Sequence, residues 1–377
     1  DNLSDGSNST DLTITFSESP VGFVPGDDLS VSGGVLSTGS FDTDNLVWTA
    51  TYTANDDFDG TGSVTLAAGS YADAAGNAGS GDSDSVTIDT ENPEATVVLV
   101  ADNLSDGTNS TDLTITFSES PVGFVPGDDL SVSGGVLGTG SFDTDNLVWT
   151  ATYTANDDFD GTGSVTLTAG TYVDAAGNAG SGDSDSVTID TENPEATVVL
   201  VADNLSDGTN STDLTITFSE SPVGFVPGDD LSVSGGVLGT GSFDTDNLVW
   251  TATYTANDDF DGTGSVTLTA GSYADAVGNV GSGGADTVTI DTENPEATVA
   301  LTADSLSDAS NSTDLTITFS ESPNGFDPND DLTVTGGVLS GGGFDGANLV
   351  WTATYTADDG LDATGSVSLA SSSYTDA

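Results

Sequence analysis

Three carboxylates crowd a proline in the segment Asp89-Thr90-Glu91-Asn92-Pro93-Glu94, and the same segment returns at Asp190 and at Asp291. Nothing in the chain can neutralise them. It carries 62 Asp and Glu and no Lys, Arg or His, for a formal net charge of −62. Whatever offsets that charge comes from solution. Divalent cations are the natural candidates, because calcium takes about six to eight oxygens from carboxylates, amides and backbone carbonyls.

A second constellation is Asp174-Ala175-Ala176-Gly177-Asn178, with copies spanning Asp73 to Asn77 and Asp275 to Asn279. It supplies an Asp, an Asn and a Gly able to turn a carbonyl inward, so both polar residues are candidate calcium ligands. Asp185 is another: Asp183 becomes Gly284 in the third copy, whereas Asp185 persists as Asp286 and stands as Asp84 in the first. Asn156-Asp157-Asp158-Phe159-Asp160-Gly161 imitates the start of an EF-hand loop, yet Leu167 stands where that loop needs a bidentate Glu. In the fourth copy Asp358-Asp359-Gly360-Leu361-Asp362 breaks the spacing, so an Asp-Gly turn is the better account. Asn109-Ser110-Thr111 fits a glycosylation pattern but reads as a polar turn.

The elements that position these groups follow from repetition. Asp1-Asn2-Leu3-Ser4-Asp5 returns at Asp102, at Asp203 and, drifted, at Asp304, a period of 101 residues. That length suits a whole small domain rather than a solenoid unit. The expected domains are 1–90, 91–191, 192–292 and 293–377. The first lacks its opening strand, and the fourth stops at Asp376-Ala377, before its Gly-Asn and its last strand. The first residue falls inside a repeat, so the chain reads as a window of something longer.

Two-residue alternation predicts seven strands in the second copy, over 96–100, 113–117, 130–132, 136–142, 147–153, 165–167 and 187–189. Helical periodicity is absent. The fold class is therefore all-β, a linear tandem array of immunoglobulin-like β-sandwich domains. The predicted inward set is Leu113, Ile115, Phe117, Phe124, Leu130, Val132, Trp149, Tyr153, Val165, Leu167, Tyr172, Val187 and Ile189. Outward positions are mostly Thr and Ser, which argues against a halophilic dressing of acids over the strand faces. Alternating strand directions instead place the acids at two poles. Glu119, Asp128, Asp129, Asp143, Asp145, Asp174, Asp183 and Asp185 fall at one; Asp102, Asp106, Asp112, Asp157, Asp158 and Asp160 fall at the other. Each junction then sets an acidic pole against an acidic pole through an acidic linker.

Composition narrows the function classes. A chain this acidic is excluded as a direct nucleic-acid partner, and no run is long enough for direct membrane insertion. There is no Cys for a disulfide or a thiolate site. Without His, Cys or Lys, and with its candidate groups repeated copy after copy, an enzyme is the least favoured class.

The segments "VGFVPGDDLSVSGGVL", "WTATYTA" and "GSVTLTAGTYVDAAGN" together resemble the bacterial Ig-like extender repeats of giant RTX-type, calcium-dependent surface adhesins of the biofilm and ice-binding kind. The resemblance covers the whole chain. It implies an extracellular location at the bacterial cell surface, and a stalk that calcium stiffens so as to hold a distal adhesive domain away from the cell. It also implies calcium, several ions per domain, at the linker positions Asp190, Glu192 and Asn193. Their copies are Asp89, Glu91 and Asn92, and Asp291, Glu293 and Asn294. Further ligand positions implied are Asp174 and Asn178, with Asp73, Asn77, Asp275 and Asn279, and Glu119, with Glu18, Glu220 and Glu321. The partners expected are calcium ions and neighbouring repeats of the same chain. The alternative is a subunit of an extracellular filament or sheath that self-associates by strand exchange.

Overall fold

The structure is a computed structural model describing residues 2–375. It divides into two compact units, Asp1–Pro194 with Ala274–Val280, and Glu195–Tyr273 with Gly281–Ala377.

Within the first unit, the second repeat forms a complete β-sandwich. Its strands are β1 (Ala95–Leu99), β2 (Asn103–Ser105), β3 (Ser110–Phe117), β4 (Leu130–Ser133), β5 (Gly135–Leu137), β6 (Ser141–Phe142), β7 (Val148–Ala155), β8 (Asp160–Leu167) and β9 (Asp183–Asp190). One sheet runs β1-β3-β7-β5, with β6 also on β7; the other runs β2-β9-β8-β4. All neighbours are antiparallel except β2, which lies parallel to β9 with Leu104 opposite Ile189. The chain thus starts in one sheet and crosses to the other within a few residues. A single one-turn helix, α1 (Pro126–Asp129), precedes β4, an element that periodicity did not predict. Asp129 holds it: the buried carboxylate accepts the Val125 N–H at 2.6 Å.

All of the predicted inward side chains enter one core. Leu113, Ile115, Tyr153, Val165 and Ile189 are fully buried, while Phe124, Leu130 and Val132 pack at its margin. Tyr153 donates its hydroxyl to the Ser133 carbonyl at 2.7 Å. The predicted strand over 136–142 is split into β5 and β6 around Gly140, where a Cβ would come within 2.1 Å of the Trp149 ring. Trp149 occupies the space that a continuous strand's side chains would need.

Where β1 borders β9, one sheet's open edge meets the other's. Here the Asp183 and Asp185 carboxylates accept the Val97 and Leu99 N–H groups, both at 2.8 Å. Among the described residues no strand covers this seam in the first domain, and Asp84 is exposed with its carboxylate turned to the Ser85 N–H. In the second unit, the third repeat keeps both sheets, and Asp286 accepts the Leu200 N–H at 2.8 Å. The fourth keeps its larger sheet of Ala297–Leu301, Ser312–Phe319, Val350–Ala357 and Gly337–Phe344, and a two-stranded second sheet.

The placement of Asp185 differs from the ligand role expected of it. Its carboxylate closes a sheet edge, because an unpaired N–H at a half-buried seam is costly. Replacing Asp185 by Ala is expected to destabilise the second domain by about 1–3 kcal/mol, the cost of an orphaned amide. Chemical denaturation with and without calcium checks it: the loss should be equal in both conditions.

Candidate metal centre

Two loops of the second domain project acids from a rigid aromatic pole. Phe117 ends β3 just before Ser118 and Glu119, and Tyr172 precedes Asp174; their rings meet edge-on at 5.1 Å between centroids. Phe124 completes the cluster against Phe117 at 5.3 Å and Trp149 at 5.7 Å. Such packing fixes where the loops leave the core.

Asp174 is 2% exposed. One carboxylate oxygen accepts the N–H groups of Ala176, Gly177 and Asn178 at 2.8, 2.7 and 2.9 Å. Gly177 takes φ +95°, which turns the loop back on itself. Asp89 ends the last strand of the first domain and pairs across it with Asp59. At the junction, carboxylate oxygens of Asp89, Glu119 and Asp174 all lie within 4.8 Å of one another.

The linker joining the two domains is pinned at both ends. Thr90 is buried in the first domain, where its hydroxyl donates to the Asn55 carbonyl at 2.8 Å and accepts the Phe58 N–H at 3.0 Å. Pro93 belongs to the second: its carbonyl accepts the Tyr172 hydroxyl at 3.2 Å and the Ser181 N–H at 2.9 Å. Glu94 donates its N–H to the Ser118 hydroxyl at 2.8 Å. Only Glu91 and Asn92 are left between these anchors, and both side chains are exposed.

Bringing acids together without a cation raises their proton affinity. Burial pushes the Asp89 carboxyl above the ordinary carboxylate range, and the charges of Asp174 and Asp59 push it further. Burial does the same to Glu119, followed by the charges of Asp174 and Asp89. Asp190 is raised by burial and then by Asp275. The exposed first-domain loop goes the other way, where Asn77 hydrogen bonds hold Asp73 low.

The sign of the pH dependence follows. For a group whose folded pKa is raised, stability is fully present below the unfolded pKa and lost as pH rises through the folded value. Metal-free protein is therefore expected to lose junction stability as pH climbs from about 4 upward, the ordinary carboxylate range. Melting temperature against pH in chelator measures it; a curve rising through that window would contradict the cluster's electrostatics.

The sequence of each repeat matches the family described as bacterial Ig-like domain, over residues 1–90, 89–191, 190–292 and 291–377. The chain belongs to the bacterial Ig-like domain family. Among solved structures, it is similar to invasin, a bacterial integrin-binding protein, at 12% identity and a TM-score of 0.32, covering 95% of this chain and 78% of that one. It is also similar to InvD of Yersinia pseudotuberculosis, at 16% identity and a TM-score of 0.26, covering 75% of this chain and 86% of that one. No curated protein matches. Among the described residues, no helix is long and apolar enough to cross a membrane.

The other expected ligands are distributed through the Ig-like domains as follows. In the linker after the second domain, Asp190 lies beside the Asp275–Asn279 loop, and the Asn279 amide reaches its carboxylate at 3.2 Å. The Asn193 side-chain oxygen is buried and has no hydrogen-bond partner. Glu91 and Glu192 turn their side chains to solvent and contribute backbone carbonyls instead, each accepting from an Asn amide at 3.2 Å. Glu220 and Glu321 stand two residues beyond Phe218 and Phe319, which end the strands Ser211–Phe218 and Ser312–Phe319, as Glu119 stands beyond β3, and Glu18 is exposed at that place in the first. Asp73 and Asn77 form the same turn as Asp174 and Asn178, but there Asp73 is half-buried and Asn77 exposed. Asp291 is half-buried, with Glu293 and Asn294 exposed. Asp376, the fourth copy's match to Asp174, lies outside the described residues.

Asn178 departs from its expected role. Its side-chain oxygen accepts the Asp5 N–H at 2.8 Å, so the amide nitrogen, not an oxygen, faces the acids. Sequence reasoning also missed Asp59, whose charge reaches the cluster from the opposite strand. Its only signal was a place beside the domain's end in the alternating-strand scheme.

Proposed function

We propose that these domains are an extender segment of a long bacterial surface adhesin, outside the cell, whose junctions are stiffened by calcium. The observation that carries the reading is the meeting of Asp89, Glu119 and Asp174 within 4.8 Å in a chain with no cationic side chain. The donor set fits a hard cation: three carboxylates, with backbone carbonyls close by. The buried, unpartnered Asn193 oxygen fits the same ion at the next linker, since buried polar atoms are otherwise almost always paired. Asp89, Glu119 and Asp174 would hold calcium at the first junction, and Asp190, Asp275 and Asn193 at the second. The ion would supply positive charge where burial and mutual repulsion now oppose ionisation.

Non-enzymatic work suits this arrangement. Near-identical Ig-like domains supply length, and a pinned linker transmits direction. Extracellular calcium modules bind at about 10⁻⁴–10⁻³ M, so such junctions would be loaded outside a cell and empty inside it. The test is calcium removal from the intact chain. Chelation is expected to lower the melting temperature and to hasten cleavage of the linker at Glu91 by a Glu-specific protease. Indifference of both to chelation would sink the calcium reading.

A further inference from the structure

Asn178 is wholly buried at the junction of the first and second domains. Its amide nitrogen lies 2.7 Å from the Asp174 carboxylate and 2.9 Å from the Asp89 carbonyl. It also lies 3.2 Å from both the Asp89 carboxylate and the Glu91 carbonyl. Two hydrogens are thus shared among four oxygens, which come from the end of one domain, the linker and the next domain's loop. The amide oxygen meanwhile accepts the Asp5 N–H of the first domain. Backbone groups of fixed polarity set the orientation: Asp5 can only donate, and the Asp89 and Glu91 carbonyls can only accept.

The same arrangement recurs. Asn279 reaches the Asp190 carbonyl at 2.9 Å, the Asp190 carboxylate and Glu192 carbonyl at 3.2 Å, and the Asp275 carboxylate at 2.8 Å. Its oxygen accepts the Asp106 N–H at 2.9 Å. Asn77 supplies the contrast: it is exposed, and its side chain donates only to Asp73, within its own turn. The turn therefore forms without a neighbouring domain, and the remaining bonds of Asn178 are additions specific to the junction.

We infer that the Asn178 carboxamide is a metal-independent clasp, a positioning residue that holds two domains in register and keeps the junction closed before any cation arrives. A neutral donor does at this point what a cation would do, drawing four oxygens together. A carboxylate here would have no proton to give and would face two carbonyls and two acids. The Asn178→Asp variant should therefore close only when a cation substitutes for the lost donor. This last step rests on the calcium reading; the clasp itself does not.

The chain's lack of cysteine permits a direct test. Thr49→Cys and Thr150→Cys, both at exposed strand positions, take spin labels on the two domains. Interdomain distances are then measured in chelator and in calcium. In chelator, the parent protein is expected to keep a single distance peak, whereas Asn178→Asp and Asn178→Ala lose it. Calcium should restore the peak for Asn178→Asp. Asn77→Asp, in the same turn but away from the junction, should leave the peak intact, and strand content by circular dichroism confirms that each variant is folded. A parent that lacks the peak in chelator, or an Asn178→Asp variant that keeps it there, overturns the clasp. A parent whose distances and melting temperature ignore calcium, with the variants still broadened in chelator, retains the clasp and removes the calcium reading.

Discussion

In saturating calcium, the double variant Asp89→Asn with Glu119→Gln is expected to melt roughly 10–20 °C below the parent protein for the transition that includes this junction. In chelator it is expected to melt no lower, with its advantage over the parent growing as pH rises. The arithmetic is that of linkage. Free calcium at about a hundred times its dissociation constant stabilises the folded state by about 2.7 kcal/mol per site, and a 60–100-residue domain shifts by about 4–8 °C per kcal/mol. Both carboxyls are pushed upward by burial and by neighbouring acids, so neutralising them removes a strain when metal is absent. The opposite responses in the two conditions are the diagnostic. Asp174 is left in place because its carboxylate holds the turn through three backbone N–H groups. Differential scanning calorimetry in both conditions decides it, and an equal shift in each would show the acids to be structural only.

Replacing Gly163 by Ala should cost the second domain about 3 kcal/mol or more, by forcing a packed core to move. A Cβ there would sit 2.2 Å from the Tyr153 hydroxyl and 2.6 Å from the Ile189 side chain. Neither can retreat easily, since both are fully buried and the hydroxyl is held by Ser133. The clash is with the hydroxyl first, so adding Tyr153→Phe should recover part of the loss even though Phe gives up a hydrogen bond. Denaturation of the single and double variants measures the coupling. The same glycine lies under the same tyrosine in each copy, as Gly62 with Tyr52, Gly264 with Tyr254 and Gly365 with Tyr355.

Much of the fold was legible because strands alternate and the copies repeat. Leu113, Ile115, Trp149 and Tyr153 announce an inward face by spacing alone, and the structure buries them all. What spacing could not show was what happens at edges. Asn103–Ser105 is too short to carry a period, so its parallel pairing with the last strand was invisible. Asp185 illustrates the same limit: alternation gives the face of a strand, not the neighbour across a seam, and a carboxylate that closes an edge looks like one awaiting a metal. At the junction, acidity at loop ends pointed to Asp89, Glu119 and Asp174, which the fold does gather. The direction of the Asn178 amide was beyond reach, because it is set by Asp5, a residue 173 positions away.

The strand at the seam has a consequence for how such a chain reaches its native state. Ala95–Leu99 and Ala196–Leu200 are identical in sequence, and so are the strands Ser110–Phe117 and Ser211–Phe218 that receive them. No difference in side chains tells a donor which acceptor is its own. Chemical identity makes the wrong pairing as favourable, contact for contact, as the right one, and only proximity along the chain separates them. Domains that form one at a time as the polypeptide emerges meet a single open edge at each moment. A fully denatured chain released all at once meets several, the situation in which tandem repeats exchange strands and become trapped.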